Sequence, residues 1–139
     1  MSSLEKLEAL AKLEGHNSEY SKPISAAAKD VLLERVRQTE VERWTAQHDD
    51  EHTYGELALA AACYAKYSAD HSQFFRDGPA PAYARDEPPC PEFWPWDKSW
   101  WKPKTVRHDL VRAAALLVAE IERLDRKALA PITPPNGGE

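Results

Sequence analysis

Leucine recurs at every third position near the N-terminus of the chain, at Leu4, Leu7, Leu10 and Leu13. This spacing predicts a short amphipathic helix with a single leucine stripe. A lone stripe needs a cover, either on the body of the protein or on a second subunit. Residues 1–22 are therefore interpreted as an N-terminal helix and linker, and residues 4–13 as a contact through which the chain would form a homo-oligomer.

Three longer helices are predicted downstream, over about residues 24–43, 53–70 and 105–128. Ser25 suits the N-cap of the first, and Thr53 with Glu56 fits the S/T-x-x-E capping box of the second. The last helix carries a continuous apolar stripe formed by Val106, Leu110, Ala114, Leu117, Ile121 and Leu124. No strand-like alternation of useful length occurs, so the predicted class is all-α.

Proline and tryptophan concentrate between the last two predicted helices. Residues 78–103 hold seven of the eleven prolines, which disfavours helix and central strand, and also Trp94, Trp96, Trp100 and Trp101. A disordered linker rarely contains so many indoles. We expect its second half to be an ordered loop wrapped over a bundle of three core helices. One helical domain would then span residues 23–130, and residues 131–139 would form a flexible tail.

The bulk properties narrow the class of partners. A formal net charge of -5 over 139 residues argues against generic nucleic-acid binding, which requires a basic excess. The two cysteines, Cys63 and Cys90, and the lack of a signal-peptide pattern favour free thiols in a cytoplasm. The longest apolar run is too short to span a bilayer, so no membrane partner is expected.

A polar run precedes the second long helix and concentrates candidate chemistry. It contains His48, Asp49, Asp50, His52 and Glu56. Carboxylates and imidazoles are suitable ligands for a divalent ion, and Asp50, His52 and Glu56 are the candidate metal ligands. Helix capping and surface charge at a helix N-terminus explain the same residues without a site.

Aromatic and cationic residues interleave further along the chain and suggest where a ligand would bind. Trp44, Trp96 and Trp101 are candidates for stacking on a ring, and Lys102, Lys104, Arg107 and Arg112 for holding anionic groups. Asp49, Asp50 and His52 would read polar edges or hold an ion. The alternative is that tryptophans only fasten the loop, with lysine stems lying over indoles. The binding hypothesis requires the polar run, the tryptophan segment and the start of the last helix to meet.

Several of these motifs resemble a family of small proteins from temperate phages and prophages. The resemblance covers about residues 34–126 and rests on Glu34-Arg35-x-Arg37-Gln38, Trp44-Thr45-x-x-His48-Asp49-Asp50-x-His52, Gly55-Glu56-Leu57-x-x-Ala60-Ala61-x-x-Tyr64-Ala65, Trp94-Pro95-Trp96, Trp101-Lys102-Pro103, Arg107-x-Asp109-Leu110-Val111-Arg112-Ala113 and Glu120-Ile121-Glu122-Arg123-Leu124-Asp125. In that family a glycine usually precedes the Trp-Thr pair, where this chain has Arg43. If the glycine makes a turn, the local backbone is expected to differ here. The resemblance implies a phage accessory protein in an infected bacterial cytoplasm.

A fainter resemblance is to the MazG-like all-α nucleotide pyrophosphatases, which hold magnesium with E-x-x-E and E-x-x-D pairs. Glu122 and Asp125 match the second pair, and no E-x-x-E matches the first. Three functions therefore remain open. The favoured one is an accessory binding protein that captures a nucleotide or a host defence protein without turnover. The others are a metal-dependent nucleotide hydrolase and a structural oligomer with no small-molecule site.

Overall fold

The computed structural model describes residues 23–74, 83–84 and 88–129, together with Glu5. Within these ranges the chain forms the helices α1 (Ala26–Glu40), α2 (Ala46–Asp50), α3 (Glu56–Phe74) and α4 (Val106–Leu129), and a 3-10 turn over Lys98–Trp100. The same ranges contain no β-strand, so the predicted all-α class is confirmed. None of the described helices is both long and apolar enough to cross a membrane.

Two predicted segments fall outside the described residues. They are the N-terminal leucine helix with its linker, apart from Glu5, and the tail from residue 131 onward. The division of the chain into three parts and the proposed oligomer contact at residues 4–13 therefore stay predictions.

The core lies where α3 and α4 pack along each other, with α1 and the short α2 also against α4. Small side chains at the centre, Ala60, Ala61, Ala113 and Ala119, let the two long helices approach closely. Leu57 and Leu116 fill the space between them and are almost completely buried. The indoles of Trp94 and Trp101 cover this layer from the loop that precedes α4. The predicted role of the tryptophan segment as a wrapped, ordered loop is therefore observed for residues 91–104.

The apolar stripe of α4 does not face this core. Leu110, Leu117, Ile121 and Leu124 are 46–57% exposed. The buried side of α4 instead carries Asp109, Ala113, Ala115, Leu116, Ala119 and Arg123. The apolar stripe that identified the helix is therefore not its packing face, because the core face is built from small and polar residues.

The face that α1 buries is also polar. Ser25 caps the helix as predicted, since its side chain accepts a hydrogen bond from the Ala28 amide over 3.1 Å. The buried residues are Glu34, Arg35 and Gln38. These groups are buried because they pair with one another and with α2 and α4.

The end of α1 turns through a left-handed residue. Arg43 has a φ of 60°, and the following amide, that of Trp44, donates to the Gln38 carbonyl over 2.8 Å. Arginine thus adopts here a left-handed conformation that glycine favours, and a difference from the backbone of the resembled family stays a prediction. This turn sends Trp44 back over the end of the helix.

The capping box predicted for α3 does not form. The helix begins at Glu56, with Gly55 before it at a φ of 79°. The Glu56 carboxylate accepts from the Tyr54 amide over 2.6 Å, rather than from the amide of Thr53. The preceding run is not a loop throughout either, because Thr45 caps the short helix α2 by accepting from the His48 amide.

Three elements are joined by one buried arginine. Arg35 on α1 donates from Nη2 to Asp49 Oδ2 on α2 and from Nε to Glu122 Oε1 on α4, each over 2.8 Å. Asp49 is completely buried. Because such a charge is costly without its partner, the pair fixes where α2 lies.

We expect Asp49→Ala to lower the free energy of unfolding by about 3–5 kcal/mol, since it leaves the Arg35 guanidinium buried without its main partner. Its neighbour provides a matched control: Asp50 pairs with Arg126 at 2.8 Å, but its side chain is half exposed. Asp50→Ala should cost at most about 1 kcal/mol. Urea denaturation measures both, and equal losses would contradict the assignment.

The left-handed turn predicts a stabilising substitution. Arg43→Gly should raise the free energy of unfolding by about 0.5 kcal/mol, because relief of the strained φ exceeds the extra entropy that glycine loses. Arg43→Val should lower it by about 1 kcal/mol, because a β-branched residue resists positive φ. Arg43 is exposed, so neither change removes a buried contact. The opposite order in thermal or urea unfolding would rule out the strain.

Candidate functional site

The polar run and the tryptophan segment lie against each other. The indole of Trp44 stacks on the His48 ring with centroids 6.0 Å apart and planes within 7°. His48 contacts His52 edge-on at 4.9 Å, and His52 lies 5.4 Å from Trp96 of the loop. The ring centroids of Trp44 and Trp96 are 6.4 Å apart, which closes this cluster of four side chains. The expected contact between these two regions is therefore present, and it is made of aromatic rings.

These rings form the outer wall of a cavity of about 510 Å³. The volume lies within the range of about 300–1,000 Å³ that is usual for small-molecule sites. We call this space the aromatic pocket. Its lining comprises Glu34, Arg37, Gln38, Glu42, Trp44, His48, His52, Tyr64, Trp94, Trp96, Asp97, Trp100, Lys102, Arg112 and Leu116.

The inner wall is continuous with the protein core. Trp96 meets Trp94 edge-on at 5.4 Å, and Trp94 meets Tyr64 edge-on at 5.5 Å. Tyr64 in turn stacks on Trp101 at 4.7 Å. The pocket wall is thus held rigid by the same packing that fills the space between the helices.

Two buried polar atoms at the pocket have no hydrogen-bond partner. Gln38 is completely buried, and its amide is oriented by Nε2, which donates to Glu34 Oε2 over 3.4 Å. This leaves Gln38 Oε1 unsatisfied, and Trp96 Nε1 is unsatisfied as well. One is an acceptor and the other a donor. A buried group without a partner costs about 1–3 kcal/mol, and a bound molecule that reached either atom would recover that cost by supplying a partner.

The pocket lining carries equal numbers of carboxylates and cationic side chains, but some of these groups form ion pairs and others do not. Three carboxylates face three cationic side chains: Glu34, Glu42, Asp97, Arg37, Lys102 and Arg112. Arg37 is fully engaged, since it binds both oxygens of Glu34 at 2.7 and 2.8 Å and Glu42 at 2.6 Å. Burial alone would raise the pKa of Glu34, yet the hydrogen bonds and the positive charge of Arg37, together with the nearby charge of Arg112, outweigh it and hold that pKa below its usual 4.5.

Arg112 and Lys102 form a less neutralised side of the pocket. Arg112 Nη1 donates to Tyr64 Oη over 2.7 Å and to the Lys102 carbonyl over 2.9 Å, and its guanidinium lies over the Tyr64 ring. The Lys102 ammonium is exposed and lies 6.0 Å from the Trp100 ring. Within the described part of the chain neither cation forms a salt bridge with a carboxylate. An anionic group would find its strongest attraction here.

The structure brings together six of the residues singled out from the sequence: Trp44, His48, His52, Trp96, Lys102 and Arg112. The other six do not line the pocket. Trp101 is buried in the core. The backbone amide of Lys104 donates to the Asp109 carboxylate. Arg107 pairs with Asp30 of α1 at 2.8 Å. Trp101 therefore has a packing role and Arg107 an ion-pairing role, whereas Lys104 is exposed.

The acidic candidates are engaged in the framework as well. Asp49 binds Arg35, Asp50 binds Arg126, and Glu56 accepts from the Tyr54 amide and lies 3.2 Å from His52 Nδ1. Asp50 therefore does not join His52 and Glu56 as the predicted ligand set requires. Across the described ranges, no three histidine, cysteine or acidic side chains converge on a point that would hold a metal ion.

Sequence reasoning missed nine residues of the pocket lining, among them those that α1 contributes. The missed residues are Glu34, Arg37, Gln38, Glu42, Tyr64, Trp94, Asp97, Trp100 and Leu116. A signal was present in α1: Glu34, Arg37 and Gln38 lie three and four positions apart, so they share a helical face that ends next to Trp44.

Comparison of the chain with protein-family models, with curated proteins and with solved structures gives no match.

The Glu34–Arg37 clamp predicts a specific acid dependence. A carboxylate with a lowered folded pKa contributes stability that is fully present above about pH 4.5 and is lost as the pH falls through the lower folded value. The stability advantage of the wild type over Glu34→Gln should therefore shrink on acidification. Urea denaturation at a series of pH values measures it. Glu40→Gln, an exposed carboxylate of the same helix, should follow the wild type, and a constant difference for Glu34→Gln would contradict the clamp.

Proposed function

We propose that the aromatic pocket binds a nucleotide and that the protein acts by capture without turnover. The observation that carries this proposal is the pairing of an aromatic wall with an unsatisfied acceptor, Gln38 Oε1, and an unsatisfied donor, Trp96 Nε1. A nucleobase offers a flat π-surface together with donors and acceptors along one edge. Few other metabolites combine both features.

The wall supports stacking of a base. Trp44 and Trp96 are partly exposed in the pocket while their other contacts, to His48, His52 and Trp94, hold them in place. A preorganised ring loses little entropy when a ligand stacks on it. Stacking on an aromatic side chain contributes about 1–3 kcal/mol per base and tolerates any base.

The two unsatisfied polar atoms of the pocket support selection among bases. Gln38 approaches from α1 and Trp96 from the loop, so the two unsatisfied atoms belong to different elements of the pocket lining. A ligand that satisfies both would close the gap between these elements. A site with unsatisfied polar groups rejects a molecule that lacks matching ones more strongly than an apolar site does.

The phosphate would lie at Lys102 and Arg112. Arg37 is less suitable, because two carboxylates already saturate its guanidinium. The balanced lining also explains how an acidic chain would bind an anion without attracting nucleic acid in general.

Binding rather than turnover follows from where the other carboxylates lie. The hydrolase alternative rests on the run from His48 to Glu56 together with Asp109 and Glu120. Of these, Asp50 is held by Arg126 and Glu120 by Arg123. Glu122, which contributes to the MazG-like resemblance, is held by Arg35. The phage-like motifs supply the biological setting of the proposal. A phage accessory protein that sequesters a nucleotide would antagonise a host defence that signals with one. Capture of a host defence protein is the other form of the same role.

Isothermal titration against purine and pyrimidine nucleoside monophosphates, their nucleosides and cyclic dinucleotides tests the proposal. At least one should bind saturably and change tryptophan fluorescence. Trp44→Ala and Trp96→Ala should each weaken that ligand by roughly 1–3 kcal/mol, or about 5- to 150-fold. Phe93→Ala, an exposed ring beside the pocket, is the matched control and should leave affinity unchanged.

The polar contacts have their own signatures. Lys102→Ala should weaken a nucleotide more than its nucleoside, whereas Lys98→Ala, an exposed lysine of the same segment, should affect neither. Gln38→Leu should weaken both. If every titration is flat, or if the tryptophan variants bind like the wild type, nucleotide capture by this pocket is wrong.

A further inference from the structure

The exposed stripe of α4 repeats with heptad spacing. Its members are Leu110, Ala114, Leu117, Ile121, Leu124 and Ala128, separated alternately by four and three residues. This period keeps one seam of a helix facing a helical partner along its length. The seam lies away from the core and from the aromatic pocket, on residues that no described element buries. A contiguous apolar row of this kind marks a contact surface.

We infer that this seam is the docking surface for the leucine stripe of the chain's own N-terminal segment, residues 4–13. This inference does not depend on the proposed function. It assigns one occupant to a surface that the described residues leave open, and it assigns a cover to the stripe of Leu4, Leu7, Leu10 and Leu13.

The entry point of the segment supports docking within one chain. Asp30, in the first turns of α1, pairs with Arg107 in the first turn of α4 at 2.8 Å. Pro23, the first residue of the described stretch, lies only seven residues before Asp30. The chain before Pro23 therefore arrives at the end of α4 where the seam begins.

The lengths are compatible. The seam from Leu110 to Leu124 covers about 21 Å of helix at 1.5 Å per residue, and a helix over residues 4–13 covers about 14 Å. The nine residues from 14 to 22 span up to about 30 Å when extended, enough to place that helix anywhere along the seam. Glu5, the one residue of this segment that the structure describes, is helical.

Tethering favours this occupant over a second copy. A segment joined by a short linker has an effective concentration in the millimolar range, which a separate molecule reaches only at high protein concentration. A second copy could pair with the seam only after it had displaced the tethered segment. Homo-oligomerisation through the leucine stripe would then require the segment to leave its own seam.

The test measures thiol labelling in full-length protein. Leu117→Cys is placed on the seam, and its alkylation rate is followed by peptide mass spectrometry, which separates it from Cys63 and Cys90. The rate is compared with that of the same variant carrying Leu7→Ser and Leu10→Ser. Labelling should be at least tenfold slower with the leucines present. Ile121→Cys repeats the measurement if Leu117→Cys fails to fold.

Ala62→Cys, an exposed site on α3, is the matched control and should label at one rate in both backgrounds. Light scattering on the same samples should give a monomer mass while the seam is protected. Equal labelling rates with and without the leucines would overturn the inference. Protection that disappears on dilution together with a dimer mass would overturn it as well, in favour of a second copy.

Discussion

The arrangement of the molecule depends on the buried guanidinium of Arg35. It joins α1 to α2 through Asp49 and to α4 through Glu122. The short α2 has five residues and few apolar contacts, so without this ion pair little would determine its position. Because α2 carries His48 and is followed by His52, the same ion pair places the outer wall of the aromatic pocket. A charge buried in the framework thereby determines the geometry of an uncharged surface.

The pocket combines a rigid aromatic wall with polar groups, some of which are paired within the protein while others are not. The Arg37 clamp neutralises one side, while Arg112 and Lys102 leave the other side positive. Between them lie an acceptor and a donor that the protein itself does not satisfy. This distribution favours an amphipathic ligand with a flat ring, a polar edge and a negative group. It also explains why the net charge of the chain is a poor guide to the site.

The sequence predicted the helices well and their packing faces poorly. Periodicity located α1, α3 and α4 to within a few residues, and capping chemistry identified Ser25. The apolar stripe of α4 is not its packing face, because alanine and paired charges, rather than leucine, fill the core side of that helix. Half of the candidate site residues line the pocket. In the other half, Trp101 is buried in the core, and Asp49 and Arg107 form ion pairs with Arg35 and Asp30, contacts that the sequence alone does not reveal.

The aromatic contacts form one unbroken series from Trp44 through Trp96, Trp94 and Trp101 to Tyr67. Each ring is therefore a neighbour of the next, and substitutions along the series should be strongly non-additive. The consequence is evolutionary. A descendant of this protein cannot reshape the wall without repacking the interior, so changes of specificity are expected to accumulate at the charged rim, where single replacements are tolerated.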